Sequence, residues 1–97
     1  MQCVVFSPAA RTEVTDAQDW YESEAQGLGR RFRDEVEAVV HRIEANPLLF
    51  SPAYKNVRRA RLRNFPYALY FCVLPDSLFV IACFHSSRDP QRWQRRI

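Results

Sequence analysis

With 97 residues and a hydrophobic content of 47%, the chain has the size and apolar content of one packed core, and we expect a single domain over residues 1–97. Its two glycines leave little room for linkers, and the opening MQCVVFSPAARTEV has neither a basic leader nor a long apolar run. That excludes a signal peptide or membrane span there, so the expectation is a cytoplasmic protein.

The net charge of +3 conceals two unlike halves: residues 1–53 carry five Arg against nine Asp or Glu, and residues 54–97 carry nine Lys or Arg against two Asp. The basic half uses Arg eight times and Lys once, which favours bidentate contact with phosphate or carboxylate and points to an anionic or acidic partner.

In chain order, Gln2–Phe6 is a short apolar run that predicts a strand. Ser7-Pro8 follows as an N-cap with proline at the first helical position, where its missing N–H costs nothing. Ala10, Val14, Ala17, Tyr21 and Ala25 recur at helical spacing with Trp20 alongside, while Glu13, Asp16, Asp19 and Glu22 fall outside the stripe as a solvated acidic face. Gly27-Leu28-Gly29 breaks the pattern, and Phe32, Val36, Val39, Val40 and Ile43 define a second helix. Arg31/Glu35 and Arg33/Glu37 are spaced as four-residue ion pairs on it, and Asn46-Pro47 ends it. So short a connection predicts an antiparallel helical hairpin.

The remainder reads as strands. Asn56–Arg63 alternates so that Val57, Arg59, Arg61 and Arg63 share one face, with Arg58, Ala60 and Leu62 on the other. Phe65–Leu74 and Leu78–His85 are rich in aromatic and β-branched residues, and Pro75-Asp76-Ser77 between them has turn chemistry. Asp89-Pro90 can cap a last helical turn holding Trp93. The expected fold is α+β, in the order β-α-α-β-β-β, with the helical hairpin packed on a small antiparallel sheet.

The residues contain no phosphate-binding glycine loop, Gly-x-Ser-x-Gly elbow or HExxH, so no enzyme signature, cofactor or metal is expected. Cys3, Cys72 and Cys83 lie in apolar runs without metal-ligand spacing and read as small buried thiols. The strand aromatics read as core. His85 and Arg88 stand within a few residues of each other, where they can bind phosphate, move a proton or merely tie the tail to the sheet. Trp93 reads as a packing anchor or a stacking platform.

Several of these fragments, taken in order, resemble the RelE/ParE toxin superfamily and its ParE-like, plasmid-stabilisation branch. They are Ser7-Pro8-Ala9-Ala10, Trp20-Tyr21-Glu22, Gly27-Leu28-Gly29 with Phe32, Asn46-Pro47, Arg58-Arg59 with Arg61-Leu62, Phe65-Pro66-Tyr67, and His85 with Arg88-Asp89-Pro90 and Trp93. The resemblance implies a toxin of a type II toxin–antitoxin pair, neutralised by a cognate antitoxin lying along its surface, as a homodimer or a toxin–antitoxin hetero-oligomer. ParE-like members inhibit DNA gyrase and trap cleaved DNA complexes; RelE-like members cut mRNA on the ribosome.

For the second activity the candidates are Lys55, Arg59, Arg61, His85 and Arg88, but the tail after Arg88 lacks the Tyr or His that such nucleases place there. The favoured expectation is therefore a binding poison of gyrase rather than an enzyme. Target or antitoxin contact is expected from Arg58, Arg59, Arg61, Arg63, His85, Arg88 and Trp93. A ribosome-dependent mRNA endonuclease and a non-toxic co-repressor module are the alternatives.

Overall fold

The computed structural model describes residues 3–97; Met1 and Gln2, the latter counted in the first expected strand, lie outside the described residues. Strand β1 (Cys3–Phe6) leads into helix α1 (Pro8–Glu24), and α2 (Leu28–Ala45) follows. A single 3-10 turn (Pro47–Leu49) then precedes β2 (Pro52–Tyr54), β3 (Val57–Arg61), β4 (Tyr67–Val73), β5 (Ser77–His85) and the one-turn helix α3 (Gln91–Gln94). The class is α+β, as the residue pattern implies. The short β2 and the turn before it are additions, too brief to leave a periodic signal.

Ser7 caps α1 through its side chain, Oγ accepting from the Ala10 N–H at 3.0 Å, with Pro8 at the first helical position. Contacts between α1 and α2 run in opposite directions: a Cβ at Gly29 would stand 2.6 Å from the Gln18 carbonyl, Arg33 reaches Gln18, and Arg11 shares a groove with Val40. The hairpin is thus antiparallel, and Gly29 is where the helices pass too closely for a side chain. Glu22 is no idle surface acid. Its two oxygens accept from the N–H groups of Gly27 and Gly29, both at 3.0 Å, and so close the open start of α2, where negative charge is favoured. Gly27 begins that turn with φ of 86°, the left-handed region that glycine enters freely.

The sheet order is β1-β5-β4-β3-β2. Pairing from β2 to β5 is antiparallel, whereas β1 joins the far edge parallel to β5, with Cys3 opposite Ser77 and Phe6 opposite Val80, so the sheet is mixed. Between Tyr70↔Ala82 and Phe71↔Val80 the register slips by one, leaving Ile81 as a bulge on β5. Beyond Val80, no strand among the described residues lies beside this edge of β5. There Glu13 accepts from the Cys83 N–H at 3.0 Å, Arg96 donates to the Ile81 carbonyl at 2.8 Å, and the two side chains pair at 2.5 Å. An ion pair between the first helix and the last residues stands in for the missing strand.

Two apolar layers result. The hairpin buries Val14, Phe32, Val36, Val39 and Ile43 against Leu69, Phe71, Leu78 and Val80. The opposite face of the sheet buries Val57, Tyr70, Ile81 and Phe84 beneath a much smaller cover, chiefly Trp93. Cys72 and Cys83 are buried thiols, but Cys3 is exposed: it lies on an edge strand, which corrects the expectation of three buried cysteines. Among the described residues of α2, Arg30 pairs with Asp34, and His41 faces Glu44, rather than the spacings read from sequence: Glu35 turns away to hold the β3–β4 loop, and Arg33 reaches across to Gln18 of α1.

Candidate functional site

Cross-strand register sorts the expected contact residues. Arg59 lies opposite Tyr70 and Arg61 opposite Ala68, both on the face covered by α3. Arg58 lies opposite Phe71 on the hairpin side, where Nη1 donates to the Phe50 carbonyl at 2.6 Å, so its charge serves the chain segment entering β2. Arg63 does not continue the row, because β3 ends at Arg61. Its N–H and that of Asn64 donate to Glu35 of α2 at 3.0 and 2.9 Å, placing Arg63 beside the helices. The three-arginine face read from alternation thus reduces to Arg59 and Arg61.

Those two line a concavity of about 300 Å³ with Tyr70 and Ser86. Around the end of β5 it adjoins a larger groove of about 710 Å³ whose walls include Asp16, Trp20, Tyr67, His85 and Arg88. Both concavities share Pro66 and Tyr67. Arg88 stands at the rim, its guanidinium carbon 5.7 Å from the Phe84 ring centroid, with Arg96 at 5.3 Å from the same ring. Stacking on a fixed aromatic holds a guanidinium in place before a partner arrives. Among the described residues, Arg59, Arg61, Arg88, Arg92 and Arg95 form no ion pair.

His85 is opposite Tyr67 on the hairpin side of the sheet, with the rings 5.1 Å apart and edge to face. Its Nδ1 accepts from the Ser87 N–H at 3.0 Å. A backbone N–H can only donate, so the neutral ring carries its proton on Nε2 and offers a donor, not a base. Burial pushes the Tyr67 phenol up, Cys83 adds to that shift, and the Arg88 guanidinium opposes it. Burial and Tyr67 also raise Tyr21. Both phenols therefore stay protonated at neutral pH. Cys83, in the groove wall, is pushed up to about 12, by burial first and then by Glu13. It is an inert thiol.

Trp93 is 2% exposed and stacks on Tyr70 with centroids 4.3 Å apart, which makes it the anchor of α3 and gives a partner no access to its ring. Lys55 sits in the β2–β3 turn, its Nζ 5.2 Å from the Tyr54 ring. Val57 at that end is opposite Cys72, whereas His85 is opposite Tyr67, five residues along β4 and about 17 Å away at strand rise. The five nuclease candidates are therefore not assembled. Lys55 lies at the other end of the sheet, and His85 lies on the other face from Arg59 and Arg61.

Residue alternation missed Glu13 and Arg96, which are 83 positions apart. Neither carries a local signal of the other. Among the described residues no group of three or more His, Cys, Asp or Glu is placed to hold a metal, and no helix is long and apolar enough to cross a membrane.

Residues 4–90 match the family model described as the ParE toxin of the type II toxin–antitoxin system, parDE. A solved structure described as the chromosomal ParDE TA system from P. aeruginosa is similar in fold, with a TM-score of 0.65 over 88% of this chain and 96% of that one. The two are 13% identical, so that likeness concerns the fold alone. No curated protein matches significantly.

Proposed function

The chain belongs to the ParE toxin family of type II toxin–antitoxin systems, and from that premise we propose that it acts in the cytoplasm as a binding poison of DNA gyrase. The observation that carries this reading is the placement of Arg59 and Arg61: unpaired among the described residues, side by side in one concavity, and on the opposite face of the sheet from His85, with Lys55 at its other end. A nuclease must stabilise the reacting phosphate and move protons within one pocket, whereas a binding poison needs only a fixed charged surface.

Family membership brings an antitoxin partner. A groove of about 310 Å³ is lined by the apolar Val14, Val36 and Val40 and by the polar Arg11, Arg33, Glu37 and His41, its arginines outnumbering its one carboxylate. It suits an apolar anchor flanked by carboxylates. An acidic segment that folds as it binds can fill this groove, despite its ordering cost. Charge reversal at Arg11 and Arg33 is expected to weaken the copurified complex, and unchanged affinity would place the antitoxin outside this groove.

Expression without antitoxin tests the activity. The expected outcome is growth arrest with accumulation of cleaved gyrase–DNA complexes and intact mRNA. Codon-positioned cuts in translated mRNA would establish the nuclease alternative, and unimpaired growth would leave a co-repressor module.

A further inference from the structure

We propose that the α3-covered side of the sheet binds the phosphate backbone of duplex DNA directly, so that the toxin touches the DNA in the gyrase complex as well as the protein; this rests on the gyrase reading above. Folding turns the charge asymmetry of the sequence into a two-sided one. Arg59 and Arg61 project from β3 on that face, and Arg88 leans on Phe84 at its rim. Arg92 and Arg95 are exposed on or beside α3, whose Trp93 is turned inward. Residues 77–97 hold one carboxylate, Asp89, and it accepts from the Gln91 N–H at 3.0 Å.

Phosphodiester is the chemistry that fits. An acidic peptide gains specificity from apolar pockets between its ion pairs, but the apolar groups of this side, Phe84 and Trp93, are already buried. Duplex DNA needs no such pockets, since it presents about one charge per 1.7 Å and its affinity comes from arginine–phosphate contacts. The concavity of about 300 Å³ between Arg59, Arg61 and Ser86 can seat one phosphate group. Arg88, Arg92 and Arg95 add three more guanidiniums without an ion pair among the described residues, available for further phosphates of the backbone.

The test is fluorescence anisotropy of a labelled 24-base-pair duplex with the purified toxin, in salt from 50 to 200 mM. About four phosphate contacts give a log–log salt slope near −4, and Arg59→Ala and Arg61→Ala each reduce its steepness by about 0.9. Arg59→Lys is expected to retain the slope, and Arg31→Ala, on the helical side, to change nothing. Thermal melts show whether each variant is folded. No binding at 50 mM salt, equal weakening by Arg31→Ala, or displacement of the duplex by a lower concentration of single-stranded RNA would each overturn the proposal.

Gyrase cleavage assays on the same protein separate the two readings. Cleaved complexes without duplex binding overturn direct DNA contact alone. Duplex binding without cleaved complexes removes gyrase as target and with it the contact within a gyrase complex, leaving the toxin a duplex binder alone.

Discussion

The two faces of the sheet are covered very differently. One lies under a hairpin of two long helices, which together bury a continuous apolar stripe. The other lies under one helical turn and a single indole. The thick side supplies cohesion, and its outer charges are a mixture of both signs. The thin side has little to lose by carrying unpaired arginines, because its stability rests on one stacked ring and one ion pair. Division of labour in so small a chain is achieved by covering the two faces of one sheet unequally.

The largest effect should come from hollowing the thick side. Phe71→Ala is expected to lose about 3–5 kcal/mol in urea denaturation, enough to unfold much of the population, since Phe71 is fully buried. Trp93→Ala should fall near the low end, about 3 kcal/mol, because α3 can collapse or detach. Hydrogen exchange is the sharper measure: α3 amides should lose protection while those of α2 keep it. Equal loss in both helices would break the distinction between the sides.

Alkali tests the interior of the sheet. The Cys83 thiol has a folded pKa of about 12, so the native state keeps a proton that the unfolded chain releases from about pH 9. Stability is therefore intact below that pH and falls by about 1.4 kcal/mol per pH unit above it, until the folded group titrates. Urea midpoints at pH 8, 9 and 10 should show the decline, and Cys83→Ala should flatten it. Thiol labelling at pH 8 should modify exposed Cys3 well before Cys72 or Cys83.

Smaller again is Glu13→Gln, which weakens the contacts with Arg96 and the Cys83 N–H and should cost about 1–2 kcal/mol, measured by thermal melting. The smallest structural effect is expected from Arg59→Ala and Arg61→Ala, within about 0.5 kcal/mol of the parent. Both should nevertheless lose growth arrest. A variant that unfolds, or one that stays fully toxic, would remove the thin side from the proposed function.

Local rules explain what the residues disclosed. Ser7-Pro8 declares a helix start because capping acts within three residues, and the stripe through Phe32, Val36, Val39 and Ile43 declares a buried face because helical period is local. What escaped depends on distant partners. The parallel pairing of β1 with β5 and the Glu13–Arg96 contact each join residues more than 70 positions apart. Arg63 left its expected row because Glu35, 28 residues earlier, captures the backbone at that point. Glu22 was legible in principle, as an acid just ahead of a glycine that opens a helix, but its place on an acidic face disguised it.

The pairing of Cys3 with Ser77 has a consequence for how the protein is made. β1 is synthesised 74 residues ahead of the strand it pairs with. At about 5–20 residues per second, it waits about 4–15 s on the ribosome before that pairing is possible. The helical hairpin, whose contacts are close in sequence, can form early, whereas the sheet is a high-contact-order structure that closes only at the end. The arginine-bearing rim beyond β5 is assembled by that same final step. Nascent chains therefore lack the finished surface until β5 and the arginines after it have emerged, and an antitoxin has that interval in which to be present.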